Sequence, residues 1–306
     1  MKKVGIYYHP QWAAAHTFVH DLKAVLESRV EKVWHAAAWN EEASRANLGG
    51  TDLLFCVGGD GTTLWAARSV IPHSVPLVAI NMGRLGFLAD LGAEEALANL
   101  DTILEGDFRI EERTMVQAEL LSADDVPGEG SRTFHALNDI VLGRGAPGRP
   151  IYVETCVDGR RFSLFRADGM IVATATGSTG YALSVGGPIL HPEATDLVVA
   201  SVAPHLAAAR ALVLPAGAVV ELRLVAEPDA ILSIDGQVDV QVAHGQRLRV
   251  QRSPYVSRFV RLGSLYDYYE ALSERLGWLN ALGARWRGYG SREPGEDNSL
   301  PAAGQK

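Results

Sequence analysis

Residues 52–69 read DLLFCVGGDGTTLWAARS. The opening run, Asp52 to Val57, is apolar almost throughout, as a strand buried on both faces is. Three glycines within four residues follow at once, with Asp60 among them. Thr62 to Ser69 then reads as a helix with Thr62 as its N-cap. To the N-terminal side, Val4 to Tyr8 is a short apolar run. Gln11 to Arg29 sets Trp12, Ala15, Val19, Leu22, Val25 and Leu26 at helical spacing. To the C-terminal side, Val75 to Ile80 reads as another apolar strand and Ala93 to Leu104 as a helix. Apolar strands separated by helices predict a parallel sheet covered on both faces.

The pattern changes near Phe108. Met115–Leu121, Ile151–Val157, Val219–Val225, Ile231–Ile234 and Arg247–Val250 read as strands, with Asp158-Gly159 and Asp235-Gly236 as hairpin turns. Ser122 to Arg132 is polar and is expected to be a mobile loop. Leu265 to Leu282 returns to helical spacing. From Gly288 the composition predicts a disordered tail. The expected organisation is an α/β domain over 1–107, a β-rich domain over 108–261, a helix within 262–287 that packs back on the first domain, and a tail over 288–306.

The chain has 306 residues, 47% hydrophobic and 21% charged, enough for a real core. Its 28 Lys and Arg against 36 Asp and Glu leave a net charge of −8, which argues against sequence-independent nucleic-acid binding. Two cysteines, Cys56 and Cys156, are too few for a disulfide scaffold and form no metal-ligand pattern. The N-terminus MKKVGIYYHP lacks an apolar core after its lysines. No apolar run approaches the ~20 residues that span a bilayer. A cytoplasmic protein without a membrane partner is expected.

VGGDGTTL (57–64) is the first stretch that carries chemistry. Glycines let a ligand approach the backbone, and the N–H groups that open a helix favour an anion there. Gly58, Gly59, Gly61 and Thr62 are the candidate phosphate-binding residues. No GxxxxGK[ST] is present, and GxGxxG fails because Leu64 takes the third glycine position. A carboxylate in such a turn repels phosphate unless it holds Mg²⁺ or accepts a proton. Asp60 is therefore a candidate phosphotransfer base, or else a capping aspartate in an ordinary tight turn.

FRADGMIVATATGSTGYALSVGGPILHP (165–192) makes the reading specific. Together with GGDGT (58–62), NMGRLGFL (81–88) and LNDIVLGR (137–144), in this order, it resembles the NAD kinase family, whose members make NADP from NAD using ATP or polyphosphate. YDYYEALSERLGW (266–278) adds to the similarity. The resemblance implies Asp60 as the general base for the adenosine ribose 2′-hydroxyl, with Gly61 beside it. Asn138 and Asp139 would hold the adenosine part, an amide reading adenine and a carboxylate accepting from vicinal hydroxyls. Asp168 would reach the nicotinamide carboxamide. Thr176, Thr179, Gly180, Tyr181 and Ser184 would contact the substrate, and Phe87 would wall the adenine pocket. Mg²⁺ or another divalent metal is the implied cofactor. A homodimer or homotetramer is the implied assembly, with residues near Asp168 and Tyr181 shared between subunits.

Two positions depart from the family's TPTGSTAY: Ala175 stands for proline and Gly180 for alanine. Altered affinity is expected, with Gly180 acting mainly through its backbone. The near-match to GxSxG at 176–180 lacks its first glycine, so a hydrolase elbow is not expected. The nine histidines contain no HExxH. Arg68, one to two helical turns beyond GGDGT, either orients the donor or makes a surface salt bridge. Arg144 and Arg149 read as solvated loop cations. The rival readings are a lipid kinase that shares GGDGT and a non-catalytic dinucleotide sensor.

Overall fold

The computed structural model describes residues 1–83, 86–122, 131–146, 148–205, 210–226, 229–263 and 267–277. The polar loop after Ser122 and the tail after 288 lie outside these residues. Met1–Leu262 form one compact unit and the chain from Gly263 belongs to a second.

The first unit opens with β1 (Lys3–Tyr8), α1 (Ala13–Glu27), β2 (Lys32–Ala37), α2 (Glu41–Leu48), β3 (Leu53–Gly58), α3 (Asp60–Ser69) and β4 (Leu77–Asn81). The strands lie parallel in the order β4-β3-β1-β2. β3 shows why its sequence is apolar at every position. Leu54 and Cys56 enter the core on one face, while Leu53, Phe55 and Val57 enter the core on the other. A fully buried side chain of this size contributes about 1.5–3 kcal/mol, so neither face tolerates a polar residue cheaply. Next come β5 (Leu91–Gly92), α4 (Ala93–Ala98) and α5 (Leu100–Glu105). The single helix expected over 93–104 is thus two, divided at Asn99, which ends α4 and begins α5.

The second half is antiparallel. It comprises β6 (Arg109–Leu121), β7 (Arg132–Ala136), β8 (Asp139–Arg144), β9 (Ile151–Val157), β10 (Arg160–Ala167) and β11 (Gly169–Ala173). A 3₁₀ turn at Gly177–Thr179 leads to α6 (Tyr181–Ser184). β12 (Leu197–Val202), β13 (Leu212–Leu214), β14 (Val219–Ala226), β15 (Ala230–Ile234), β16 (Val238–Val242) and β17 (Arg247–Arg261) complete the unit. One sheet runs β13-β12-β11-β8-β15-β16. The other continues the parallel strands: β17 lies beside β4, pairs with β6 along its length, and leads through β14 and β9 to β10. Alternate residues of both sheets meet in one apolar core. Both expected hairpin turns form, a two-residue loop at Asp158-Gly159 and a three-residue loop at Asp235-Gly236-Gln237, with both Asp-Gly pairs at positive φ. In the second unit, α7 spans Asp267–Arg275 within the stretch read as helical.

Candidate active site

β3 ends at Gly58, Gly59 caps α3, and Asp60 is the first helical residue. The expected N-cap, Thr62, lies instead inside the first turn, because the helix begins two residues earlier than its side chains imply. The hydroxyl of Thr62 is buried without a partner among the described residues. A side chain at Gly58 would overlap it, so glycine there is a packing requirement. The N–H groups of Thr62 and Thr63 turn back to the Gly59 carbonyl. Those of Asp60 and Gly61, in the first turn, have no acceptor within the helix.

The Asp60 carboxylate is gripped from one side. Backbone N–H groups of Phe87 and Leu88 donate to its two oxygens, at 2.8 and 3.2 Å. A side chain at Gly86 would overlap the carboxylate, so the loop can approach only as glycine. Arg261 secures the loop from behind, donating to the Leu88 carbonyl at 3.2 Å and to Glu111 at 2.9 Å. Burial pushes the Glu111 carboxyl up, but Arg113 and Arg261 outweigh it and hold the group at about 2.

A second set of contacts fastens this turn to the antiparallel half. Arg68 on α3 donates to Asp235 at 3.0 Å and to the Gln237 side chain at 2.7 Å. Gln237 in turn donates to the Gly61 carbonyl at 2.7 Å. Asp235 is buried and also accepts from the backbone N–H groups of Leu137, Asn138 and Asp139, at 3.0, 2.7 and 3.2 Å. Burial raises its carboxyl above the usual carboxylate range, and Arg68 with the backbone donors of Leu137 and Asn138 offsets only part of that rise. All four donors point at its oxygens, so the geometry holds the charged form. Asp139 beside it is raised as well: burial and the neighbouring Asp235 charge lift its carboxyl to about 7.

The TATGSTG segment closes over the same point. Asn138 accepts from the Thr174 N–H at 2.9 Å, and a side chain at Gly177 would overlap the Asn138 carbonyl. Ser178 is spent on structure, donating to the Ala175 carbonyl and accepting from Leu190 N–H. The Thr179 hydroxyl donates to the Thr176 carbonyl at 3.1 Å. At Gly180 a methyl group would sit 3.8 Å from the Asn138 amide and 3.9 Å from the Asp139 carboxylate. Two buried polar atoms here, the Asn138 amide oxygen and the Thr176 hydroxyl, have no partner among the described residues. Buried polar atoms are almost always satisfied, so both are available to a ligand or to water.

Asp60, Gly61, Phe87, Asn138, Asp139, Thr176, Thr179 and Gly180 are thus tied into one region. Asp168 is not. β8 and β11 run antiparallel, with Ala173 opposite Asp139 and Gly169 opposite Gly143. At ~3.4 Å per residue, Asp168 lies roughly 17 Å further along the strand. It pairs there with Arg144 at 3.0 Å, so Arg144 is an ion-pair partner, not the solvated cation its sequence context implied. Tyr181 and Ser184 are exposed on α6. Sequence reasoning missed the clasp: Asp235 read only as a turn residue and Gln237 carried no signal. Arg68 and Asp235 are 167 positions apart, beyond the reach of any local pattern.

Residues 7–108 match the family model of the ATP-NAD kinase N-terminal domain, and residues 137–262 that of the ATP-NAD kinase C-terminal domain. An NAD kinase of Dehalococcoides mccartyi (strain CBDB1) is 38% identical over 275 residues, covering 90% of this chain and 96% of that protein. The chain belongs to the NAD kinase family. An NAD kinase of Aromatoleum aromaticum is 45% identical over 229 residues, 74% of each chain. Two solved structures share the two-domain NAD kinase fold. A yeast NADH kinase complexed with NADH superposes with a TM-score of 0.77 at 23% identity, covering 97% of this chain and 90% of that one. An Archaeoglobus fulgidus NAD kinase in complex with ATP gives 0.69 at 25% identity, covering 88% and 97%. Like its family, the chain is a phosphotransferase that acts on NAD.

Proposed function

We propose that the NAD adenosine lies between the α3 turn and the Asn138-Asp139 pair, and that Asp60 is the general base. The ribose 2′-hydroxyl oxygen attacks the terminal phosphorus of ATP or polyphosphate. The bridging P–O bond breaks, releasing ADP or a shortened polyphosphate, and the hydroxyl proton passes to Asp60. The observation that carries this reading is the clasp through Arg68, Asp235 and Gln237, which ties the Asp60 turn to the backbone of Asn138 and Asp139. Positioning is most of phosphoryl-transfer catalysis. The two N–H groups on Asp60 orient it and leave lone pairs for the proton.

Asn138 and Thr176 would gain the partners they lack by hydrogen bonding the adenosine, and Asp139 would accept from the ribose hydroxyls. Gly58, Gly59 and Gly61 would cradle the donor's phosphates; Thr62, expected to join them, has its N–H on the Gly59 carbonyl and its hydroxyl buried. Mg²⁺ or another divalent metal, when bound, would neutralise that polyanion. Such an ion draws its oxygens chiefly from phosphates and water, so the single carboxylate of Asp60 is donor enough. Asp168, Tyr181 and Ser184 would meet the nicotinamide half at an open rim that a second subunit of a homodimer or homotetramer could complete. Free Cys56 and Cys156 accord with a cytoplasmic enzyme, and no described helix is long and apolar enough to cross a membrane.

Asp60→Asn tests the centre of this reading. It is expected to lower NADP formation at least ~10³-fold while NAD still binds within a few-fold of wild type. Undiminished turnover would remove Asp60 from the chemistry.

A further inference from the structure

Three parallel strands deliver their C-terminal ends side by side, in the order β3-β1-β2. β3 ends in the glycine turn. Beyond β1 and β2 stand His9, Trp12 and Trp39. Trp12, placed at helical spacing with Ala15 and Val19, is the N-cap of α1 and is 39% exposed, and Trp39 is 43% exposed. His9 stacks on Trp12 with ring centroids 4.6 Å apart and planes at 23°. It meets Trp39 edge-on at 5.2 Å and 84°. The cluster is joined to the glycine turn. A methyl group on Gly59 would lie 3.5 Å from the Trp12 ring, and one on Gly58 3.3 Å from the His9 β-carbon.

The backbone holds this arrangement against its own preference. Trp39 has φ = +68°, in the left-handed region that bulky side chains avoid. Strain of this kind persists where surrounding structure imposes it and concentrates at ligand sites. The hydrogen bonds Ala38 N–H to Tyr8 carbonyl and His9 N–H to Val57 carbonyl lock the three loop starts together.

We propose that Trp12 and Trp39, with His9 between them, form the base-binding subsite for a nucleoside triphosphate donor. This rests on the reading above, in which the glycine turn holds the donor's phosphates. From the end of β3 to the end of β2 is two strand spacings, about 10 Å, directed away from Asp60. A ligand lying along that line carries phosphates at one end and a flat aromatic group at the other, which describes a nucleotide and not bare polyphosphate. Base stacking on an aromatic ring tolerates any base, so the subsite favours nucleotides as a class.

The test compares ADP and ATP with inorganic tripolyphosphate, which has the charge but no base. Trp12→Leu and Trp39→Gly remove the rings one at a time, and the glycine also relieves the backbone strain. Each is expected to raise the ATP KM and the ADP dissociation constant, measured by calorimetry, roughly 5- to 150-fold. Tripolyphosphate binding and the NAD KM should stay within about twofold. Unchanged ADP affinity in both variants, or an equal loss for tripolyphosphate, would overturn the subsite; equal loss would mean that the rings only buttress the glycine turn. The calorimetric arm does not depend on turnover. If Asp60→Asn left activity intact, the catalytic reading would fall while ADP binding still reported on the tryptophans.

Discussion

The two ends of the β8–β11 strand pair carry the same kinds of residue and treat them in opposite ways. At one end Asp139 is buried beside Asp235, Asn138 and Thr176 keep unpartnered polar atoms, and Gly180 leaves room above them. At the other end Asp168 is partly exposed and already paired with Arg144. The first end keeps hydrogen-bonding atoms free for a ligand or for water. The second is open to water and satisfied. In the proposed reading, one chain builds the adenosine end of the site, and the far end is left to solvent or to another subunit.

The strongest way to break this contrast is Asp235→Ala. Asp235 collects four donors with no exposed side-chain surface. Its loss strands the Arg68 guanidinium and three backbone N–H groups. A broken buried pair costs about 3–5 kcal/mol. Urea unfolding is expected to show a loss of that size, and the NAD KM should rise because the Asn138-Asp139 backbone loses its tether. A loss below ~1 kcal/mol would mean that the clasp is not what joins the two halves.

Asp139→Asn sharpens the contrast through pH. In the folded chain Asp139 titrates at about 7, against its ordinary 3.8. Between these values the folded state keeps a proton that the unfolded state has released. Stability from this group is therefore lost as pH rises from about 4 to 7, by on the order of 4 kcal/mol if the group acts alone. Denaturation at intervals across that range should show the slope in the wild type and a flatter profile in Asp139→Asn. Ribose hydroxyls need the ionised acceptor, so the wild-type NAD KM should fall as pH passes 7. A KM that is level from pH 6 to 8 would remove Asp139 from ribose binding.

Much of this molecule was legible in its residues because the informative signals are local. The apolar run at Leu53–Val57 required burial on both faces, and the two Asp-Gly turns required positive φ. The glycine turn announced a helix start, although the side chains of Asp60 and Thr62 misplaced its first residue by two. The clasp was hidden because its partners meet only through the strand order that sets β15 beside β8. Helical spacing marked Trp12 only as sharing a face with Ala15 and Val19, and could not reveal that it sits against His9. The Arg144–Asp168 pair was missed for a related reason: two residues on facing strand ends have no sequence spacing of their own.

The smallest expected effect is on the open rim. Asp168 and Arg144 are each about a third exposed, and an ion pair in that setting contributes about 0–1 kcal/mol. Asp168→Asn should leave the urea midpoint nearly unchanged, which sets it apart from Asp235→Ala. Its effect should appear in the NAD KM, raised roughly 2- to 10-fold by the loss of one hydrogen bond to the nicotinamide half. At saturating NAD the turnover should be kept, because the group lies at the far end of β11 from Asp60's partners. Adenosine alone, which lacks the nicotinamide, should bind the variant and the wild type equally. A variant that lost adenosine binding as well, or that unfolded as readily as Asp235→Ala, would show that the rim is part of the buried site and that the two ends of the strand pair are not distinct.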